Sequence, residues 1–154
     1  MALPVSTTIE VCIFRRDAHR ARYLLLRRSE SERVYPGIWQ YVTGSVNHGE
    51  KAVDAALREL LEETGLEPAG FWAVPFVNSF YDRNRDEVNL SPLFAAEVSA
   101  GDSPRLSAEH CELGWFDYED SSRMLVWPGQ REGLRIVNDF IVGGEDAAKL
   151  TRIR

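Results

Sequence analysis

The stretch Gly44–Leu66, GSVNHGEKAVDAALRELLEETGL, decides how the rest of this chain is organised. It opens with a glycine-bounded loop and continues into residues 51–64, where apolar side chains recur every three or four positions. This period predicts an amphipathic helix. Gly65 favours a left-handed helix end, and Pro68 prevents the helix from continuing.

The acidic residues of this predicted helix share one face. Glu59 lies three residues before Glu62 and four before Glu63, so the three carboxylates are close neighbours. Their repulsion costs roughly 0.2–0.5 kcal/mol per pair, and within the helix only Arg58 offsets it. Such a cluster suits a hard divalent cation, Mg²⁺ or Mn²⁺. A solvated helix face produces the same spacing, so the spacing alone leaves both interpretations open.

The wider pattern separates the two interpretations. Its fixed positions are Gly44, Glu50, Arg58-Glu59, Glu62-Glu63 and Gly65. With these residues, the stretch 44–66 resembles the signature of the Nudix hydrolase family. The resemblance implies hydrolysis of a nucleoside diphosphate linked to another moiety, with Mg²⁺ or Mn²⁺ as cofactor. It also implies an α/β fold, the Nudix-type α/β/α sandwich with a mixed β-sheet.

The resemblance assigns roles to residues of this stretch. Glu59 and Glu63 are expected to be the chief metal ligands, with Glu62 completing the cluster directly or through water. The Gly44 carbonyl is expected to add a ligand from the loop. Arg58 is expected to orient a carboxylate rather than to touch the substrate.

The general base is open between two carboxylates. Glu62 is one candidate, because it belongs to the cluster itself. Glu109, in SAEHCELGWF, is the other, because it stands shortly before a predicted strand and family members often use an acid from outside the signature. Glu87 and Glu112 are further candidates. No serine or cysteine has the setting of a nucleophile, so direct attack by water is expected.

Sequence outside the signature bears on the substrate. Three segments resemble the branch of dihydroneopterin triphosphate diphosphatases and dNTP pyrophosphohydrolases: IWQYVTGSVNHGE, the Arg27-Arg28 pair after three leucines, and EHCELGWFDYEDS. This likeness implies that Arg27 contacts phosphate and that Thr43 lines the pocket. Trp39 and Tyr81 are candidates for stacking on a base or pterin, although aromatic side chains also serve core packing.

Two other functions remain open. A different Nudix enzyme would cleave dinucleoside polyphosphates, ADP-ribose or nucleotide sugars. A non-catalytic nucleotide-binding module would share the fold, but it would have no need of the complete set of acids at Glu59, Glu62 and Glu63.

Composition limits the partners. The chain has 18 basic and 24 acidic residues and a net charge of −6, which argues against a surface for nucleic acid polymers. No apolar run approaches the roughly 20 residues of a membrane span. Cys12 and Cys111 are expected to be buried, reduced thiols of a cytoplasmic protein. The expected partner is a small phosphoanhydride substrate, and a homodimer stays open.

Strand-like segments lie on both sides of the predicted helix. A hairpin is expected from 7–16 and 23–26, and a single strand over 38–46. A second helix is predicted over 130–142. We therefore expect a mixed sheet with helices on both faces, with residues 1–144 forming a single domain and residues 145–154 forming a loosely held C-terminal tail.

Overall fold

A mixed sheet of eight strands forms the centre of the fold in the computed structural model, which describes residues 1–154. The strands are β1 (Leu3–Val5), β2 (Thr8–Asp17), β3 (Arg20–Arg28), β4 (Trp39–Gln40), β5 (Val42–Ser45), β6 (Gly70–Asp82), β7 (Glu87–Glu97) and β8 (His110–Phe116). The α-helices are α1 (Ala52–Thr64), α2 (Tyr118–Met124) and α3 (Pro128–Ile136). Helix α3 runs on as a π-helix, Val137–Val142, and a 3₁₀ helix follows at Asp146–Thr151. None of the helices has the length and apolar character needed to span a bilayer.

Strand β2 is the middle of the sheet. It pairs antiparallel with β3 and β5 and parallel with β7. Strand β3 continues the sheet to β4 and β8, and β7 continues it to β6 and β1. The hairpin predicted for the first two long strands is present as β2 and β3. The parallel pairs make the sheet mixed, as expected.

Each face of the sheet is covered by a helical layer. Alternate residues of β2 point to opposite faces, so Ile9, Val11 and Ile13 pack with helix α1 in one core. Cys12 and Phe14 belong to the second core, which includes Leu134 of α3. Helices therefore lie on both faces, and the α/β/α sandwich is confirmed.

Three local features differ from the expectations. The segment 38–46 is not one strand, because β4 pairs with β3 whereas β5 pairs with β2. The last residues are not loose, since Ile153 N donates to the Phe71 carbonyl at 2.7 Å and Phe71 N donates to Arg154 O at 3.1 Å. Cys111 is exposed rather than buried. The domain boundary after residue 144 stays a prediction.

Candidate active site

Arg58 ties the glycine-bounded loop to helix α1. Its Nε and Nη2 donate to the two carboxylate oxygens of Glu50 at 2.8 and 2.9 Å, and Nη2 also reaches the Ser45 carbonyl at 2.9 Å. Its Nη1 donates to Glu59 at 2.8 Å and to Glu62 at 3.2 Å. The hydrogen bonds from Arg58 hold the pKa of Glu50 at about 2. The Arg58 guanidinium thus holds both the loop, through Glu50, and Glu59, the first acid of the cluster.

Gly44 makes room for Glu59. A Cβ atom at position 44 would collide with Cγ of Glu59, so any side chain there would force Glu59 to move. Because glycine has no Cβ, the Glu59 side chain can lie directly against strand β5. The carboxylate therefore reaches the cleft beside the strand backbone.

Glu63 is a buried carboxylate without a partner. Its side chain is 5% exposed, and its Oε2 accepts no hydrogen bond. Burial, together with the negative charges of Glu109 and Glu59, raises the pKa of Glu63 to about 9, against a smaller opposing effect of Arg28. Burial likewise raises the pKa of Glu59. An uncompensated cluster of this kind is stabilised by a bound cation.

The donor set fits a hard divalent ion by its chemistry. Carboxylate oxygens and a backbone carbonyl are the ligands that Mg²⁺ and Mn²⁺ prefer. No group of three or more His, Cys, Asp or Glu side chains is already drawn together closely enough to hold an ion.

These acids lie at one end of a cleft with a cavity of about 750 Å³. That volume falls within the roughly 300–1,000 Å³ of small-molecule sites. The other end is lined by Glu10, Asn78 and Gln130, which come from β2, β6 and α3. Exposed aromatic side chains border the cleft, and the rings of Tyr35 and Trp127 meet edge to face at 4.8 Å.

The sequence-predicted residues divide into two groups. Those that line the cleft are Thr43, Gly44, Glu59, Glu63, Tyr81 and Glu109. Those that do not are Arg27, Trp39, Arg58 and Glu62. Arg58 and Glu62 remain connected to the cleft through the hydrogen bond that Arg58 donates to Glu59.

Arg27 and Trp39 face elsewhere. Arg27 donates to Glu112 and Glu30, both at 2.9 Å, so its guanidinium is taken up by surface ion pairs. Trp39 packs edge to face on Phe116 with the ring centres 5.6 Å apart, at the border of the second core. Neither side chain is placed where a substrate in the cleft would touch it.

Arg28, and not Arg27, reaches the cleft from strand β3. Its Nε donates to the Val34 carbonyl at 2.9 Å and its Nη2 to Glu32 at 3.2 Å, which leaves Nη1 without a partner. Strand alternation puts Arg27 and Arg28 on opposite faces, and the pairing with β8 slips between them. Sequence reasoning missed this residue because β3 is apolar on both faces and so gives no sign of which face holds the cleft.

Glu10 was also missed. It is 4% exposed on the central strand β2, and burial raises its pKa although Asn78, Tyr41 and Gln130 nearby lower it in part. In the sequence, Glu10 looks like an ordinary polar member of an alternating strand. Residues from distant segments, Tyr41, Asn78 and Gln130, surround it in the fold.

Comparison with known proteins gives three kinds of match. The NUDIX domain model matches residues 6–136. An octanoyltransferase of Myxococcus xanthus is 33% identical over 142 residues, covering 87% of this chain but 37% of that protein. The nucleoside triphosphatase NudI of Escherichia coli is 28% identical over 121 residues, covering 74% of this chain and 86% of that protein. The chain thus spans well under half of the first of these relatives.

Two solved structures share the fold. An Ap4A hydrolase of C. elegans in a binary complex superposes with a TM-score of 0.78 at 23% identity, over 91% of this chain and 100% of that one. The dihydroneopterin triphosphate pyrophosphohydrolase of E. coli gives 0.71 at 24% identity, over 94% and 100%. At this level of identity the likeness extends to the fold alone.

Proposed function

Because this chain belongs to the NUDIX domain family, we propose that it is a Mg²⁺- or Mn²⁺-dependent pyrophosphohydrolase of nucleoside triphosphate-like substrates, a dNTP or dihydroneopterin triphosphate. One observation carries the proposal. The buried, unpartnered carboxylate of Glu63 faces Glu59 and Glu109 at one end of a cleft large enough for a nucleotide. A buried carboxylate without a partner destabilises a fold, and a bound cation offsets this cost.

The acids at this end of the cleft hold the cation. Glu59 and Glu63 are the proposed carboxylate ligands, the Gly44 carbonyl is a third, and Glu62 contributes through Arg58 or a water. A divalent ion held by these residues would neutralise the non-bridging phosphate oxygens and would make the attacking water more acidic. Arg58 is a positioning residue, because it holds Glu59 against the strand without lining the cleft itself.

The proposed reaction is attack by water on a phosphorus atom. The water oxygen bonds to phosphorus, the bond to the bridging oxygen breaks, and the products are a monophosphate and pyrophosphate. Glu109 is the proposed base that takes the proton of the attacking water, because it lines the cleft and its charge acts on both Glu63 and Glu59. Glu62 is the alternative base, although its side chain is 58% exposed.

Substrate contacts come from the walls of the cleft. Arg28 offers an unpaired guanidinium N–H group next to the acids, and a guanidinium suits phosphate oxygens. Thr43 lines the wall between the two ends. Tyr81 is exposed at the rim and donates its hydroxyl to Asp86 at 2.9 Å, which leaves its ring free to cover a bound ligand. In this proposal Arg28 takes the phosphate role expected of Arg27.

Other substrates of the same chemistry are the alternative. A Nudix site of this shape also suits dinucleoside polyphosphates, ADP-ribose and nucleotide sugars. A binding module without activity is disfavoured by the energetics of the site, because a purely binding surface has no use for three mutually repelling acids.

A substrate panel tests the proposal. Purified protein with Mg²⁺ is offered dNTPs, dihydroneopterin triphosphate, diadenosine tetraphosphate and ADP-ribose, and the products are separated by anion-exchange chromatography. We expect pyrophosphate and a monophosphate from the triphosphates, with the highest kcat/KM in that group. Water labelled with ¹⁸O identifies the attacked phosphorus. Faster cleavage of diadenosine tetraphosphate or ADP-ribose favours the alternative, and no turnover on any compound refutes the enzyme.

A further inference from the structure

The end of the cleft away from the acids contains buried polar groups that the proposed hydrolysis does not use. They are Glu10 on β2, Asn78 on β6 and Gln130 on α3, all of which line the cleft. Glu10 is 4% exposed and Gln130 is 3% exposed. These three residues are named the inner polar group.

The inner polar group contains two buried acceptor oxygens to which no group donates. Asn78 Nδ2 donates to Glu10 Oε1 at 2.7 Å, but Oε2 of Glu10 and Oε1 of Gln130 accept no hydrogen bond. Tyr41 stands beside the same carboxyl, yet its hydroxyl donates to the backbone carbonyl of Gln130 at 3.2 Å. Buried acceptors without donors destabilise a fold. A ligand that brings N–H groups would satisfy them.

The neighbouring residues keep this arrangement in place. A Cβ atom at Gly129 would lie 2.0 Å from Oδ1 of Asn78, so the start of α3 packs closely on the Asn78 amide and keeps its NH₂ group turned to Glu10. Both free oxygens are covered in the ligand-free chain. The terminal torsions of carboxyl and amide side chains are soft, so a small rotation presents them to the cleft.

The two ends of the cleft are joined by one pair of strands. In the register of β2 and β5, Glu10 lies opposite Thr43 and Ile9 lies opposite Gly44. Along the backbone, Glu10 is thus one residue away from the position that meets Glu59, and strand alternation turns its side chain to the face of the sheet that α3 covers. A triphosphate at the acids would carry its ring toward Glu10. Phe80 and Trp127 line the same cleft and are exposed, so they offer aromatic faces for a planar ring.

The chemistry of the free groups selects among rings. An ionised carboxylate only accepts hydrogen bonds, and it pairs best with two adjacent donors. Guanine, a 2-amino-6-oxopurine, and pterin share one edge, called here the 2-amino-4-oxo edge after the numbering of the pyrimidine ring, and this edge presents a ring N–H beside an amino group. Adenine and cytosine present an amino group beside a ring acceptor, and uracil or thymine presents one N–H between two carbonyls. Only the first edge matches the ionised form of Glu10 at both positions, and its two N–H groups favour that form when the ring binds.

We propose that Glu10, positioned by Asn78, selects substrates whose ring carries the 2-amino-4-oxo edge, as in a guanine nucleoside triphosphate or a pterin triphosphate. This assignment rests on the proposed function, because it names the non-reacting part of the same substrate. Gln130 supplies the additional acceptor for the amino group. The acids at Glu59, Glu63 and Glu109 thus serve hydrolysis, and the inner polar group determines which ring the cleft prefers.

The test compares GTP with ITP, which differ only in the 2-amino group. For the wild type we expect kcat/KM for GTP to exceed that for ITP by roughly 10–100-fold, the usual effect of a hydrogen bond to a charged group. Glu10→Gln should bring this ratio close to one and should improve ATP relative to GTP, because an amide presents a donor beside an acceptor. Glu97→Gln is the matched control, since Glu97 pairs with Arg16 outside the cleft.

Both guanine nucleotides and pterin triphosphates carry this edge, so dihydroneopterin triphosphate is compared with GTP in the same assay. The compound with the higher kcat/KM is the preferred substrate. Equal rates on GTP and ITP in the wild type, or an unchanged ratio in Glu10→Gln, would overturn the proposal. If no triphosphate is hydrolysed, the proposed function fails separately. Calorimetric binding of GTP and ITP then still decides the role of Glu10, and thermal unfolding shows that the variant is folded.

Discussion

Replacing Glu63 by glutamine should make the metal-free protein more stable while removing its activity. The carboxylate is 5% exposed, has an unpartnered oxygen, and faces the charges of Glu109 and Glu59. Its pKa is raised from 4.5 to about 9. In the unfolded chain the group ionises freely at neutral pH, whereas in the native chain it stays protonated, and this difference favours unfolding.

The magnitude follows from the linkage between protonation and folding. Below pH 4.5 the group is neutral in both states and there is no penalty. The penalty grows as the pH rises from 4.5 to about 9, where the native group also ionises. At pH 7 it reaches about 3 kcal/mol. Burying the glutamine amide also costs free energy, and this cost offsets part of the gain. We therefore expect the free energy of unfolding to rise by roughly 1–3 kcal/mol, or the Tm by roughly 3–10 °C for a chain of this size.

The assay is thermal unfolding of metal-free protein in EDTA at pH 5 and pH 8. Glu63→Gln should have the higher Tm, and its advantage should be larger at pH 8. Glu67→Gln is the control, because Glu67 is exposed and lies just after the end of helix α1. Added Mg²⁺ or Mn²⁺ should raise the Tm of the wild type and of the control but not that of Glu63→Gln. A variant that is no more stable than the wild type at either pH would refute the reasoning.

Three more predictions concern the walls of the cleft. Gly44→Ala should displace Glu59 and lower kcat by roughly 10²-fold, as measured in the steady state, with an unchanged far-UV circular dichroism spectrum. Arg28→Ala should raise KM for a triphosphate by roughly 10-fold or more, whereas Arg27→Ala should change it by less than about threefold; the opposite order would return the phosphate role to Arg27. Arg58→Lys should lower kcat at constant saturating Mg²⁺, because lysine cannot make the paired hydrogen bonds that hold the loop and the first acid together.

Helix α1 and its acids could be predicted from the sequence, because the features that define them depend only on residues close together in the chain. Side chains share a helix face when they are spaced like Glu59 and Glu63, and the glycines on either side mark the ends of the segment. Helix α1 begins within one residue of the expected start. The sandwich followed from strand-like segments on both sides of this helix. These features depend on neighbours in the chain, which a sequence displays.

The rest depends on which surfaces meet. Arg27 and Arg28 are adjacent in a strand that is buried on both faces, so no polar alternation marks the one that reaches the cleft. Glu10 is a buried carboxylate because distant segments, α3 among them, cover it. Trp39 packs on Phe116, which is far away in sequence. Long-range contacts of this kind leave no trace in local composition.

The central claim is that the buried carboxylate at the end of the cleft holds a divalent ion that hydrolysis requires. Its most direct test is pyrophosphate release from dGTP during a Mg²⁺ titration of the wild type, Glu63→Gln and Glu67→Gln. We predict saturable dependence on Mg²⁺ for the wild type and the control, with loss of turnover in EDTA. Glu63→Gln should fall by at least roughly 100-fold at every Mg²⁺ concentration. Turnover of Glu63→Gln within threefold of the wild type, or full activity in EDTA, would contradict the claim.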